Sequence, residues 1–299
     1  MPEIAQIRDI LNAASKAHAS DLHFIAGAAP TMRVHKRLHA IDYPILTAAD
    51  ILDIVLQIMS PTQREKFEVR GEFDFAFSTQ YGRYRVHAYR QMGTVALAFR
   101  LVGLGIPTPQ EAKIPDNVLS LSLKRRGLIL VTGSAGSGKS TTLAVLIDAI
   151  NRRREAHVVT LEDPVEYLHT HKRALISQRE MGLDFEEYES ALEAVLREDP
   201  DVIMIGELRT PAAIRGALSA AEAGYLVLGA MHTISASATI ERICDAYGSG
   251  GQHQGRIVLS NVLEAMISQH LIATADATSS AVSFEVLNVD DKVRRMIRG

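Results

Sequence analysis

The stretch Leu128–Leu143, LILVTGSAGSGKSTTL, restricts what this chain can fold into more than any other. Leu128, Ile129, Leu130 and Val131 form an apolar β-type run that enters a glycine-rich turn, and a helix leaves the turn. Gly133, Gly138, Lys139 and Ser140 occupy every fixed position of the pattern G-x-x-x-x-G-K-[ST]. Glycines there let successive backbone N–H groups turn inward around an anion with no Cβ in the way. The helix that follows aims its partial positive end at the same anion. The segment Gly133, Ser134, Ala135, Gly136, Ser137, Gly138, Lys139, Ser140 and Thr141 is therefore expected to cradle a nucleoside triphosphate. Lys139 supplies a full charge at the β- and γ-phosphates, and the Ser140 hydroxyl is the expected Mg²⁺ ligand.

The chain on either side of this stretch has two textures. Before it, a helical stripe (Ile4, Ile7, Leu11, Ala14) is followed by short strands at Leu22–Ala26 and Thr31–His35. Thr47 is placed to cap a second helix, with Ile51, Ile54, Val55, Ile58 and Met59 on one face, and Ser60-Pro61 to start a third. Three strands follow, Glu72–Ser78, Arg83–Arg90 and Val95–Val102; in the first, alternating Phe73, Phe75 and Phe77 predict an aromatic core face. From Gly103 to Pro115 glycine and proline dominate, which marks a domain boundary of limited swing. After it, apolar strands (Val158–Leu161, Val202–Ile205, Leu226–Ala230) alternate with helices (Phe185–Arg197, Pro211–Glu222), the pattern of a parallel sheet covered on both faces. The expected division is a first domain over residues 1–103, a linker over 104–115 and an α/β domain over 116–299.

Three strand ends carry candidate chemistry. Val202–Ile205 runs into Glu207, expected at the end of a strand beside the loop strand, where a carboxylate lies near Mg²⁺ and the attacking water. Val158–Leu161 runs into Glu162, Asp163 and Glu166, which are placed either to hold Mg²⁺ waters or to form a solvated turn before Pro164. His232, after Leu226–Ala230, stands where a sensor could bind the γ-phosphate, although a lone strand-end histidine is more often structural. In the first domain, alternation puts Arg83 and Arg85 on one face of a strand. Such arginines are usually solvated surface, yet phosphoryl transfer needs a cation at the developing γ-phosphate charge, and Arg197, Arg209 and Arg215 are the alternatives.

Bulk composition removes some classes. A net charge of −3 and a pI near 6.4 give no global basic field for nucleic acid. The single Cys244 excludes an internal disulfide and a multi-cysteine zinc site, and suits a reducing cytosol. Glu3, Gln6 and Asp9 do not read as a signal peptide, and no run approaches the ~20 apolar residues of a membrane span.

Taken together, these motifs resemble the hexameric secretion and type IV pilus ATPases, most closely the pilus-retraction (PilT-like) branch. Ala19-Ser20-Asp21-Leu22-His23 is similar to the family's N-terminal signature, and Phe73-Asp74-Phe75 and Gly82-Arg83-Tyr84-Arg85-Val86 to its regulatory-domain strands. Thr160–Glu166 resembles the Asp box, Leu196–Arg209 the Walker B segment, and Met231-His232-Thr233 the His box. The resemblance implies a RecA-like P-loop ATPase domain preceded by a smaller PAS-like α+β domain. It implies ATP and Mg²⁺ as ligands, Glu207 as catalytic acid, Glu162 as supporting acid and His232 as phosphate sensor. Arg83 and Arg85 would act on nucleotide held between domains or across subunits. It further implies a cytoplasmic ring of six, peripheral to the inner membrane through a pilus platform protein, with no nucleic acid partner and no membrane insertion of its own. The lack of a four-cysteine insertion and of an extra N-terminal domain points to retraction rather than extension. The sequence departs from the family at Ile234, at Thr210 and in the glycine loop Gly248–Gly251, expected to be loose. It ends at Asp290–Gly299, similar to the start of the family's C-terminal helix, without the tail associated with retraction. The rival readings are a secretion or pilus-assembly ATPase, a nucleic-acid motor on the same core, and an assembly protein that binds ATP without turnover.

Overall fold

The computed structural model describes residues 4–17, 19–35, 37–79, 82–102, 105–273 and 280–299. The chain divides into two compact units, 1–104 and 105–299; Gly103 and Leu104, at the expected boundary, lie outside the described residues.

The N-terminal unit runs α1 (Ile4–Lys16), β1 (Asp21–Phe24), β2 (Thr31–Val34), β3 (Arg37–Ala40), α2 (Ala48–Ile58), α3 (Pro61–Arg70), β4 (Glu72–Thr79), β5 (Gly82–Gln91) and β6 (Thr94–Val102). Its sheet has the order β3-β2-β1-β6-β5-β4, antiparallel at each junction. Ile7 and Leu11 of α1 and Ile51, Ile54 and Val55 of α2 pack with Phe24, Val86, Leu97 and Phe99; the side chain of Ile4 lies outside the described residues. Thr47 and Ser60 close capping boxes with Asp50 and Gln63, which satisfies the first free N–H groups of α2 and α3. Only Phe75 of the three alternating phenylalanines is fully buried, because β4 is an edge strand whose ends overhang the core. Strand β3, all four residues exposed, has no apolar alternation to reveal it in the sequence.

The C-terminal unit runs α4 (Asp116–Leu119), a 3₁₀ turn (Ser120–Leu123), β7 (Gly127–Gly133), α5 (Lys139–Arg153), β8 (His157–Glu162), β9 (Leu175–Glu180), α6 (Tyr188–Val195), β10 (Val202–Ile205), α7 (Pro211–Glu222), β11 (Leu226–Met231), α8 (Ala236–Asp245), α9 (Gln252–Val262), β12 (Leu263–Ala273), β13 (Ser280–Asn288) and α10 (Asp291–Arg298). The sheet order is β13-β12-β7-β11-β10-β8-β9. From β12 to β9 every pair is parallel, while β13 returns antiparallel along β12, so the sheet is mixed at one edge rather than wholly parallel. One face packs under α6, α7, α8 and α9, and the other under α4 and α5. Strands β7, β10 and β11 are buried along their whole length, as their unbroken apolar runs require. Ile114, near the end of the proline-rich stretch, joins the α5 side of this core with Val118 and Leu121.

Candidate active site

Parallel pairing brings the carboxyl ends of β7, β11, β10 and β8 to one edge of the sheet, in that order. Ile205 pairs with both Gly229 and Leu161, and Thr132 with Met231, so the loop, His232, Glu207 and Glu162 leave the sheet at similar height. This is the edge at which ligands bind in open α/β sheets. Glu207 is two strands from the loop strand, not beside it as expected; β11 intervenes and its His232 is the nearer neighbour.

Gly133, the last residue of β7, has φ +146°, and a Cβ built on it would lie 2.3 Å from the Gln269 carbonyl oxygen and 2.7 Å from Ser137 Oγ. Gln269, on β12 and 1% exposed, donates its side-chain amide to the Ser137 carbonyl at 3.2 Å and so fixes the loop from the other flank. Gly138 caps α5 in the left-handed region and contributes no side-chain hydrogen bond. The first-turn N–H groups of α5 are therefore left to an external acceptor.

Lys139 is 7% exposed. Its ammonium donates to the carbonyl oxygens of Gly133 (2.9 Å) and Ser134 (2.8 Å) and faces His232 Nδ1 at 3.2 Å. An ammonium has no lone pair, so Nδ1 must accept, which leaves the ring proton on Nε2. His232 Nε2 lies 3.3 Å from Glu207 Oε1. Arg209 grips Glu207 in a fork, Nε to Oε1 at 3.0 Å and Nη2 to Oε2 at 2.9 Å. The outcome is a continuous polar chain, Lys139–His232–Glu207–Arg209. Burial lowers the pKa of Lys139, opposed by the carboxylates of Glu207 and Glu166. For Glu207, burial acts upward, but the hydrogen bonds from Arg209 and His232 and the charge of Arg209 outweigh it and hold the carboxyl below its ordinary value. Glu207, Arg209, His232, Thr233 and Arg242 line a cleft of about 230 Å³.

Glu162 closes β8 in a drier setting. Its Oε1 accepts from Thr160 Oγ1 (2.7 Å) and Gln178 Nε2 (3.0 Å). Burial, with the Glu166 charge in support, outweighs these hydrogen bonds and pushes its pKa up to about 6. The Gln178 amide also donates to the Tyr167 carbonyl, and the Tyr167 hydroxyl meets Thr141 Oγ1 at 2.8 Å, so the acidic turn is tied to the first turn of α5. The sequence reading missed Gln178, Gln269 and Arg242. Gln269 alone left a signal, a glutamine ending the apolar run Ala265–Ile267.

Arg83 and Arg85 lie on β5 of the other unit, where Arg83 Nη1 donates to Ser78 Oγ at 3.1 Å and Arg85 Nε stands 3.6 Å from Asp74 Oδ1. Of the alternatives, Arg209 holds Glu207 and Arg215 donates to the Ala246 carbonyl. Among the described residues no group of three or more His, Cys, Asp or Glu side chains could hold a metal. A single hydroxyl at Ser140, with carboxylates at neighbouring strand ends, fits Mg²⁺, which keeps its waters and takes phosphate oxygens; it does not fit a protein cage.

The mainly parallel sheet and the glycine loop at its carboxyl edge place this chain among the α/β P-loop proteins. Its sequence matches the family model for the Type II/IV secretion system protein over residues 2–297. The chain belongs to that family. It is 40% identical over 275 residues to a twitching motility protein of Neisseria gonorrhoeae, covering 92% of this chain and 74% of that one. It is 38% identical over 293 residues to the type IV pilus retraction ATPase PilT of Pseudomonas aeruginosa, covering 98% and 85%. A crystal structure of the pilus retraction motor PilT with bound ADP superposes with a TM-score of 0.92 at 42% identity, covering 98% of this chain and 85% of that one.

Proposed function

We propose that this protein is a Mg²⁺-dependent ATPase whose turnover drives retraction of type IV pili. The observation that carries the reading is the alignment of the glycine loop, His232, Glu207 and Glu162 along one sheet edge. Similarity to the retraction ATPase over 98% of the chain supports the direction of work. Residues 116–299 are read as a RecA-like domain and residues 1–103 as a PAS-like domain, with residues 104–115 as the connecting segment. The working particle is a ring of six at the cytoplasmic face of the inner membrane, held there by a pilus platform protein.

Each residue has a task in this reading. Loop amides from Gly133 to Thr141 and the first turn of α5 hold the phosphates. Lys139 exchanges the Gly133 and Ser134 carbonyls for phosphate oxygens. Ser140 would hold Mg²⁺, with Glu162 and Glu207 reached through water; the ion neutralises charge on the phosphates. Glu207 orients the water and accepts its proton, and His232 reports the γ-phosphate by exchanging its Lys139 contact. Arg83 and Arg85 supply charge to nucleotide at a subunit junction. Phosphate release by purified protein tests the enzyme: Lys139→Ala is expected to weaken nucleotide binding, and Glu207→Gln to bind ATP without cleaving it. Full turnover by Glu207→Gln refutes its role. Deleting the gene in its host is expected to leave excess static pili; bald cells would instead mean extension.

A further inference from the structure

We infer, on the ATPase reading above, that Gln269 is a positioning residue for nucleotide binding: by holding the Ser137 carbonyl it sets the direction of the Gly138 N–H, and with it the grip of the loop on phosphate. Gln269 stands on β12 opposite Gly133 of β7, and its side chain is enclosed. Its Nε2 donates to the Ser137 carbonyl at 3.2 Å and stands 3.7 Å from the place a Cβ on Gly138 would take. A carbonyl oxygen only accepts, so the amide nitrogen is the atom turned toward it. That leaves Oε1 buried with no hydrogen-bond partner among the described residues. An unpaired buried oxygen is costly, and an apolar side chain of the same length would fill the space without it. What offsets the cost is the contact to the loop.

That contact has a direct consequence for the next amide. The Ser137–Gly138 peptide is trans, so its C=O and N–H point to opposite sides of one plane. A donor on the oxygen from the β12 flank turns the Gly138 N–H away from β12, and the hydrogen bond polarises it. Gly138 sits at φ +90° with no Cβ to limit its backbone, so its amide needs an anchor outside the loop. Amides in this pattern wrap the α- and β-phosphates, and one that drifts weakens the cradle for both. The neighbouring polar pair differs. Thr132 Oγ1 and Ser268 Oγ, 3.1 Å apart, join the same two strands one residue earlier and satisfy each other within the sheet.

The test is Gln269→Met in the full chain, with Thr132→Val as the control on the same strand pair. The Kd of ADP and of pyrophosphate, KM and kcat for ATP, and Tm are measured for each. Gln269→Met is expected to weaken ADP and pyrophosphate alike by about tenfold, the worth of one hydrogen bond. KM for ATP should rise by the same factor with kcat within about threefold, because this grip is alike before and during cleavage. Tm should stay within about 3 °C, since loss of the Ser137 contact and loss of the unpaired Oε1 offset each other. Thr132→Val should lower Tm and leave ADP affinity within about twofold. Gln269→Leu repeats the measurement with a second apolar shape. Four results overturn the assignment: ADP affinity unchanged in both Gln269 variants, a loss for ADP that pyrophosphate does not share, an equal loss in Thr132→Val, or a fall in Tm in both Gln269 variants larger than in Thr132→Val. Failure of the wild-type chain to bind ADP would instead overturn the nucleotide-site reading itself.

Discussion

Gly133→Ala is expected to be far more damaging than Gly136→Ala, although both glycines have positive φ, +146° and +76°, and both lie in the same loop. At Gly136 nothing lies within 4 Å of the new Cβ, so the cost is the left-handed backbone alone, about 1–2 kcal/mol. At Gly133 the backbone strain is about 1–3 kcal/mol, and the Cβ meets a main-chain oxygen of β12 at 2.3 Å. That oxygen belongs to a central parallel pair, Gln269 with Gly133, and can retreat only by opening the ladder. Overpacking of this kind adds roughly 1–3 kcal/mol, so the total is about 2–6 kcal/mol. For a unit of this size each kcal/mol lowers Tm by about 2–4 °C. Differential scanning calorimetry should therefore place Gly133→Ala about 10 °C below wild type and Gly136→Ala about 5 °C below. ADP affinity should fall in Gly133→Ala, because the loop must move to relieve the clash. A Gly133→Ala protein within 2 °C of wild type, or more stable than Gly136→Ala, would refute the account of the β7–β12 contact.

Other perturbations read other parts of the molecule. Glu162 has its folded pKa raised to about 6, so the stability tied to its neutral form is complete below its unfolded pKa and lost as pH rises through 6. Glu162→Gln keeps the acceptor for Thr160 and Gln178, and should gain about 2 kcal/mol over wild type above pH 6 in denaturant titrations, a gain that disappears near pH 4. Arg294→Ala removes contacts to the Ser260 and Asn261 carbonyls and to Glu264, and should cost about 1–3 kcal/mol while amide exchange in α10 accelerates. Phe75→Ala should cost about 3–5 kcal/mol in urea unfolding and Phe73→Ala clearly less, since only Phe75 is fully enclosed.

How much could be read without coordinates depended on how local the determining physics is. Pro211–Glu222 and Val202–Ile205 coincide with α7 and β10 because a cap with an N1 proline, or an unbroken apolar run between turns, settles each locally. The β12–β13 hairpin was not legible, since Leu263–Ala273 continues straight from α9 and mixes polar Ser268, Gln269 and His270 into its run. Gly251, in the loop expected to be loose, serves close approach: a Cβ there would meet the Tyr247 carbonyl at 2.5 Å, as one at Gly255 of α9 would meet the Tyr247 ring at 2.9 Å. In the site, the motif residues were legible one by one, while their relations were not. Strand order is a long-range property, so nothing local in Glu207 or His232 shows which of them stands next to the loop.

That order has a chemical consequence. With β11 between β7 and β10, an imidazole sits between the ammonium of Lys139 and the carboxylate of Glu207. Imidazole is the side chain that can accept on one nitrogen and donate on the other at the same time. Direct contact would tie Lys139 and Glu207 into an ion pair that phosphate would have to break on arrival. The inserted His232 leaves each charge satisfied but separately movable: Lys139 can turn to an anion in the loop without dragging Glu207 with it. Glu207 then remains held by His232 and by Arg209, an exposed guanidinium whose grip is weakened by solvent. A contact held that loosely leaves the carboxylate free to change partners.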